Sequence, residues 1–299
     1  MKSLFIALVL GLNLFSTPSI RAQGQPNVTR TEDVIFGRTF GTALTLDVFE
    51  PAKKNGVAVF YVVSGGFFSS HGGIRPGDYQ PLLDHGYTVF AVVHGSQPRF
   101  IIPEIQEEIH RAIRFVRHNA GRWGVDPNRF GITGSSAGGH LSLTIGTQGG
   151  PGDPGARDPI DRESSAVQAV ACFFPPTDFL NWSKSGEGGW DYEPGRKYAP
   201  AFGPRWLTPV GRPEYAKALS PIYFVTAKMP PTLIIQGDAD VIVPLYQAQS
   251  FEQKCRQAGA PFKLVVKAGA EHGYNGWEKD IAICADWFDA HLRAPKAKE

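Results

Sequence analysis

Ser136 lies in the pentapeptide Gly134-Ser135-Ser136-Ala137-Gly138, which follows a short apolar run and precedes a helix-like stretch. A serine hydroxyl becomes an effective nucleophile only when a base removes its proton, and it must then be exposed on a sharp turn between a strand and a helix. The flanking glycines permit such a turn because they carry no Cβ atom. The pattern therefore predicts a nucleophilic serine at position 136.

A base and a carboxylate follow Ser136 along the chain. The apolar residues 233–235 lead into a turn that holds Asp238 and Asp240, and the next predicted strand leads into a loop that holds His272. The order serine, acid, histidine is that of hydrolases whose serine lies in such a turn. We expect His272 to act as the general base and one of the two aspartates to orient it. The other aspartate would then stabilise its own turn by accepting backbone N–H groups.

Donors for a reacting carbonyl oxygen are predicted after residues 57–63, where the chain reads Ser64-Gly65-Gly66-Phe67. Glycines in this place let backbone N–H groups approach an oxygen that becomes negatively charged during the reaction. We expect an oxyanion hole made by the N–H of Gly66 or Phe67 together with that of Ala137. The alternative interpretation is that the glycine pair forms only a turn.

Apolar runs that alternate with amphipathic segments predict the elements that would position these groups. Such alternation is typical of an α/β fold with a mostly parallel central sheet flanked by helices. The predicted inner strands are residues 57–63, 88–93, 130–133, 167–174, 232–236 and 262–266, and residues 34–36 and 44–49 are expected to form antiparallel edge strands. The predicted helices are residues 105–120, 137–147, 245–258 and 275–292.

Residues 175–230 interrupt this alternation with a long segment rich in glycine, proline and aromatic residues. We interpret it as an insertion that covers the carboxyl edge of the sheet, the edge at which open α/β folds bind ligands. Trp182 within it is a candidate substrate-binding residue, although its tryptophans could instead pack a small cap. His94, at the end of a predicted strand, is a second candidate for lining the pocket.

The N-terminus predicts export from the cell. An apolar stretch at residues 4–15 follows Lys2, and small residues up to Ala22 suggest cleavage there, which leaves residues 23–299 as a single domain. The stretch is too short for a permanent membrane anchor. The formal net charge of the 299-residue chain is +2, and the leader contributes Lys2 and Arg21 without any acid. The mature chain is thus close to neutral, which argues against nucleic acid as a partner.

The three cysteines and eight histidines give no metal-binding pattern. No zinc spacing is present, so we expect neither a metal nor a cofactor. Cys255 and Cys284 fall on two predicted helices, where they could form a disulfide in an oxidising compartment or remain buried as free thiols.

Three motifs together, residues 134–141, residues 237–244 and residues 271–273, resemble the α/β-hydrolase superfamily over residues 43–292. More narrowly, they resemble bacterial esterases of the hormone-sensitive-lipase and the feruloyl and acetyl-xylan esterase groups. The resemblance implies that Ser136 is the nucleophile, Asp240 the acid and His272 the base. Together with the export signal, it implies a secreted or periplasmic serine carboxylesterase that needs no cofactor and acts through an acyl-enzyme. Acetyl or feruloyl esters of plant polysaccharides, or related small-molecule esters, are the substrates it suggests.

The sequence departs from that family at Ser64, where the family usually carries histidine. Three other functions remain open. A prolyl-oligopeptidase-like peptidase shares the Gly-Asp-Ala-Asp turn, but it usually carries a large domain that the residues before Leu44 would be too few to form. A binding protein could keep the fold without the chemistry, and a dienelactone hydrolase would normally use cysteine at position 136.

Overall fold

A nine-stranded sheet forms the centre of the computed structural model, which describes residues 20–21, 27–189 and 196–293. The strands are β1 (Ile20–Arg21), β2 (Val28–Thr39), β3 (Thr42–Pro51), β4 (Ala58–Val63), β5 (Thr88–Val93), β6 (Phe130–Ser135), β7 (Ala169–Phe173), β8 (Thr232–Gly237) and β9 (Phe262–Lys267). Their order in the sheet is β1-β2-β3-β5-β4-β6-β7-β8-β9. In the part of the sheet ordered β5-β4-β6-β7-β8-β9, every neighbouring pair of strands is parallel. The pairs β1–β2, β2–β3 and β3–β5 are antiparallel. The sheet is therefore mostly parallel, with an antiparallel margin, as in the α/β-hydrolase fold. Apart from Ile20 and Arg21, the proposed leader lies outside the described residues.

The strands β4 to β8 consist almost entirely of buried residues, because helices cover both faces of the sheet. Side chains alternate between the two faces along each strand, so that Phe60 packs in one hydrophobic cluster and Tyr61 in the other. The helices are α1 (Gln80–Asp84), α2 (Ile102–His118), α3 (Ala120–Trp123), α4 (Ala137–Gln148), α5 (Arg212–Leu219), α6 (Leu245–Ala258) and α7 (Ile281–Leu292).

Helix α2 shows how local residue choice sets an element's bounds. Pro103 occupies the first turn, where a missing N–H costs nothing, and Glu104 accepts a hydrogen bond from the Ile101 N–H at 2.9 Å. The helix consequently begins three residues before the predicted start. The predicted helix at residues 275–292 is divided instead into a 3-10 turn (Trp277–Asp280) and α7.

The described residues of the segment between β7 and β8 contain α5 and three short 3-10 turns. Gln247, which is completely buried on α6, anchors this segment. Its amide oxygen accepts the N–H groups of Thr177 and Asp178 at 2.8 Å each, and its amide nitrogen donates to the Trp182 carbonyl at 2.7 Å. Trp182 is buried, whereas Trp190 and Tyr192 of the predicted insertion lie outside the described residues. The described part of the segment therefore packs as a cap over the sheet edge.

Cys255 and Cys284 are both buried free thiols, which is the second of the two alternatives that the sequence left open. Cys255 packs in the hydrophobic cluster on one face of the sheet, and Cys284 packs in the cluster on the opposite face. The sheet itself separates them. Among the helices of the described chain, none is both long and apolar enough to cross a membrane.

Candidate active site

The turn between β6 and α4 presents Ser136 at the carboxyl edge of the sheet. Its backbone angles, φ 52° and ψ −119°, lie outside the regions that non-glycine residues usually occupy. Such a turn forces β6 and α4 close together, and a Cβ atom on Gly134 would lie 2.7 Å from the Gly138 carbonyl oxygen. A glycine is therefore required at position 134, and the strained conformation of Ser136 is typical of a functional residue.

His272 connects Ser136 to a buried carboxylate. Its Nε2 lies 3.0 Å from Ser136 Oγ, and its Nδ1 lies 2.7 Å from Asp240 Oδ2. Because a carboxylate can only accept, the imidazole proton resides on Nδ1, and Nε2 is left to accept the serine hydroxyl. This is the arrangement in which histidine can act as a base toward the serine.

Three donors besides His272 hold Asp240. Its Oδ1 accepts the backbone N–H groups of Ile242 at 2.9 Å and Val243 at 2.8 Å, and its Oδ2 also accepts the amide of Gln236 at 3.0 Å. The Asp240 side chain is fully buried. Asp238 is exposed and accepts the Gly269 N–H at 2.6 Å. Of the two candidate acids, the structure brings only Asp240 to His272.

The predicted oxyanion donors lie beside Ser136. Gly66, Phe67 and Ala137 line the same cavity as the serine, and no acceptor for their N–H groups is found in the described chain. Gly66 and Phe67 both have positive φ, 57° and 64°, which turns the loop sharply after β4. The Tyr198 ring lies against this loop, since a Cβ atom on Gly66 would come within 2.3 Å of it.

Two unlike cavities lie at this site, one lined by Ser136 and the other by the adjoining Ser135. The smaller has a volume of about 40 Å³, is mostly apolar, and includes Ser136, Phe67, Trp182 and Tyr198 in its wall. The larger, about 630 Å³, is open to solvent. Its lining includes hydroxyl, charged and aromatic side chains, among them those of Ser64, Ser70, Arg75, Asp78, Phe174 and Trp277.

His94 does not line either cavity, contrary to expectation. It is 3% exposed and lies beneath the loop that follows β4, with Nδ1 donating to the Gly95 carbonyl at 2.7 Å. Its Nε2 must then accept, and the Ser64 hydroxyl donates to it at 2.8 Å. Burial lowers the pKa of His94 to about 4, so the ring is neutral at ordinary pH. The sequence placed His94 at the end of a strand, but only the packing shows that its ring points under the loop.

A group of three metal-ligand types, Asp33, Asp47 and His71, also occurs in the described part of the chain. Arg30 already occupies it, with Nη2 at 2.5 Å and Nε at 2.8 Å from Asp47 Oδ2. A cation would have to displace this guanidinium. The residues fit an ion-pair cluster better than a metal site.

Three glutamines at or near the site, Gln97, Gln236 and Gln247, were not predicted as functional residues. Gln236 and Gln247 are completely buried and Gln97 is 4% exposed, and each donates to backbone or carboxylate oxygens around the site. Gln247 interrupts the apolar stripe that includes Ala248 and Phe251 of α6. A polar residue on a buried stripe indicates that a hydrogen-bond partner must lie nearby, and that pattern could have revealed it.

Known proteins resemble this chain in sequence and in structure. A family model described as BD-FAE matches residues 46–255. Esterase LipQ of Mycobacterium tuberculosis is 29% identical over 254 residues, which cover 83% of this chain and 58% of the relative. An acetylxylan esterase of Xylanibacter ruminicola is 34% identical over 104 residues, 33% of this chain and 21% of that protein. A solved structure, a truncated carbohydrate esterase from gut microbiota, superposes with a TM-score of 0.72 and 27% identity, covering 88% of this chain and 96% of its own.

The chain spans about half the length of the curated relatives it matches first, with shares of 58%, 51% and 47%. The similarity to those relatives therefore concerns only part of each of them.

Proposed function

We propose, because the chain belongs to the BD-FAE family, that it is a secreted serine carboxylesterase that removes short acyl groups, acetyl above all, from carbohydrates. One observation carries the proposal: Ser136, His272 and Asp240 form a continuous hydrogen-bonded series beside backbone N–H groups that have no acceptor among the described residues. This combination supplies a nucleophile, a base and oxyanion donors, which is what acyl transfer to serine requires.

The reaction follows from the positions of these atoms. Ser136 Oγ attacks the ester carbonyl carbon while its proton passes to His272 Nε2, and Asp240 stabilises the imidazolium that results. The carbonyl oxygen gains the negative charge and accepts N–H groups from the Gly66–Phe67 loop and from Ala137. The intermediate collapses when His272 Nε2 returns the proton to the alcohol oxygen, which leaves an acyl group on Ser136. Water activated by His272 then releases the acid.

The position of His272 supports an assignment of the two cavities. The leaving alcohol must reach His272, and the 630 Å³ cleft is lined by Gly273 and by Phe174, whose ring centroid lies 4.7 Å from that of His272. The 40 Å³ cavity lies instead beside the oxyanion donors. The acyl group therefore belongs in the small cavity and the alcohol in the cleft.

The size of the small cavity favours acetyl over feruloyl esters. At about 40 Å³ the small cavity offers far less room than the cleft of about 630 Å³, and it therefore suits a short acyl chain better than a bulky aromatic one. The cleft offers hydroxyl and charged side chains together with the half-buried ring of Trp277, groups that suit a hydroxyl-rich sugar. The names of two similar proteins, a carbohydrate esterase and an acetylxylan esterase, support the same substrate class.

Secretion rests on the N-terminal sequence, with its apolar residues 4–15 and its small residues up to Ala22. Expression of the full chain in a bacterium, followed by mass measurement of the protein from the periplasm or the medium, tests it. We expect a mature chain that begins near Gln23. A full-length chain retained in the cytoplasm would contradict the proposal.

The enzymatic proposal is tested with nitrophenyl acetate, nitrophenyl butyrate, a ferulate ester and acetylated xylo-oligosaccharides. We expect the highest kcat/KM for acetate, slow turnover of butyrate and ferulate, and release of acetate from the oligosaccharide. Ser136→Ala should lose on the order of a million-fold in kcat, whereas the neighbouring Ser135→Ala should stay within about tenfold. Equal rates in wild type and Ser136→Ala would refute the esterase, and cleavage of prolyl peptides alone would favour the peptidase.

A further inference from the structure

The loop that carries the oxyanion donors has a backbone conformation that its own residues do not favour. Phe67 has φ 64°, an uncommon value for a side chain of this size. The N–H and carbonyl of Gly65 pair with those of Phe68 at 3.0 Å, so these two residues close the loop. Neither bond involves the Gly66 carbonyl. Contacts from elsewhere in the fold must therefore hold the peptide between Gly66 and Phe67 in place.

Gln97 supplies that contact. This residue is 4% exposed, and its side-chain amide donates to the Gly66 carbonyl oxygen at 2.7 Å. Its backbone N–H donates to the Phe67 carbonyl at 3.2 Å. Gln97 thus binds the two carbonyl groups on either side of the Phe67 N–H.

Because the peptide bond is planar, the contact between Gln97 and the Gly66 carbonyl also fixes the direction of the Phe67 N–H. The Gly66 carbonyl and the Phe67 N–H belong to one trans peptide unit, in which they point in opposite directions. A donor that holds the carbonyl on one side therefore directs the N–H to the other side. Phe67 lines one cavity together with Ser136 and Ala137, whereas Gln97 is not a lining residue of that cavity.

The segment that carries Gln97 is itself tied to the loop at two further places. Ser96 Oγ accepts the Ser69 N–H at 2.8 Å and donates to the Ser69 carbonyl at 2.6 Å. The Ser64 hydroxyl donates to His94 at 2.8 Å. Residues 94–97 therefore follow the oxyanion loop along its length, and the Gln97 amide meets Gly66 in a defined position.

Given the proposed esterase function, on which this inference rests, we propose that Gln97 is a positioning residue that directs the Phe67 N–H toward the oxyanion. Gln97 does not touch the substrate; it acts through the peptide unit between Gly66 and Phe67. The contribution is needed when the carbonyl oxygen becomes charged, so it should affect the transition state more than substrate binding.

Gln97→Glu tests the assignment, because it keeps the size of the side chain but replaces the donating amide by a group that repels the Gly66 carbonyl. Loss of one oxyanion donor typically costs about 100- to 1000-fold in kcat, and a misdirected donor should cost less, about 10- to 100-fold. We expect that loss in kcat for nitrophenyl acetate with KM changed less than about threefold. Gln97→Met, whose side chain is of similar length and uncharged, should also lower kcat with little change in KM. It replaces the glutamate variant in the test if that variant does not fold.

A second readout separates positioning from a merely structural effect. A trifluoromethyl ketone forms a tetrahedral adduct with the serine, so its inhibition constant reports the oxyanion site directly. We expect this constant to rise in both Gln97 variants by the same factor as kcat/KM falls. Gln106→Glu is the matched control, since its amide contacts Thr144 Oγ1 at 3.4 Å, away from the loop. It should leave both quantities within about threefold of wild type.

The outcomes distinguish this inference from the proposed function. The role of Gln97 alone is overturned if wild type is active and both Gln97 variants keep its kcat. It is also overturned if the variants raise KM but leave the inhibition constant of the ketone unchanged. Inactive wild-type protein overturns the esterase itself. Parallel loss of kcat and of ketone affinity in folded Gln97 variants supports the assignment.

Discussion

Replacing Asp240 by asparagine should disable the base without disturbing the fold. The substitution keeps the shape of the side chain, and the N–H groups of Ile242 and Val243 both point at Oδ1. Only an oxygen can accept them, so the amide oxygen of the variant stays there and its NH₂ group replaces Oδ2. That NH₂ then faces two donors, His272 Nδ1 and Gln236 Nε2, which now lie 2.7 and 3.0 Å from Oδ2.

The conflict with His272 is relieved if the imidazole proton moves from Nδ1 to Nε2. His272 would then present a proton toward Ser136 and could no longer accept the serine's own. The same change of tautomer in a comparable triad lowers kcat about 10⁴-fold, which corresponds to about 5 kcal/mol of transition-state stabilisation. We expect a loss of that order in kcat for Asp240→Asn, with little change in KM.

Nitrophenyl acetate hydrolysis provides the assay, and a denaturant unfolding curve checks that the variant is folded. Asp238→Asn is the matched control on the same turn, because Asp238 is exposed and only accepts the Gly269 N–H. It should stay within about threefold of wild type. More than a tenth of wild-type activity in folded Asp240→Asn, or a large loss in Asp238→Asn instead, would refute the reasoning.

Two further predictions concern the pH dependence of stability. Burial lowers the pKa of His94, His110 and His140 to about 4 from an ordinary value of 6.5, so the unfolded state binds protons first as the pH falls. Each of these histidines should lower the free energy of unfolding by up to about 3 kcal/mol as the pH falls from 6.5 to 4. A urea midpoint that stays constant over this range would contradict the prediction. Burial raises the pKa of Glu108 from 4.5 to about 7, so that wild type should lose stability relative to Glu108→Gln as the pH rises through this window, by about 1–3 kcal/mol. Glu107→Gln, at an exposed neighbouring position, should run parallel to wild type, and a pH-independent difference for Glu108→Gln would argue against a titrating Glu108.

Several features could be predicted from the sequence because they depend on short-range patterns. The apolar run before Gly134 and the helix-like stretch after Ser136 predicted the strand-turn-helix, which the structure confirms with β6 and α4. The buried runs also predicted the parallel sheet, since continuous apolar strands are typical of sheets covered on both faces. The placement of His272 at the same sheet edge followed from the parallel direction of the strands.

Other features were decided by packing between segments that are distant in sequence. Asp238 and Asp240 are carboxylates in the same turn, and the residue types alone left both as candidates for the acid that orients His272. Only the family resemblance favoured Asp240. The structure separates them because the turn buries Asp240 against His272 and leaves Asp238 in solvent. Cys255 and Cys284, for which the sequence left both a disulfide and free thiols open, lie on helices that cover opposite faces of the sheet.

His94 and Gln97 show most clearly which features depend on long-range packing. Their residue types and spacing form no motif, and a strand's end indicates a sheet edge without telling which way the following side chains point. Only the tertiary structure brings His94 to Ser64 and Gln97 to Gly66, because both contacts join loops that follow two different strands. The sequence by itself determined which groups could do the chemistry, since the nucleophile's turn is local; the long-range packing decided how their donors and acceptors are directed.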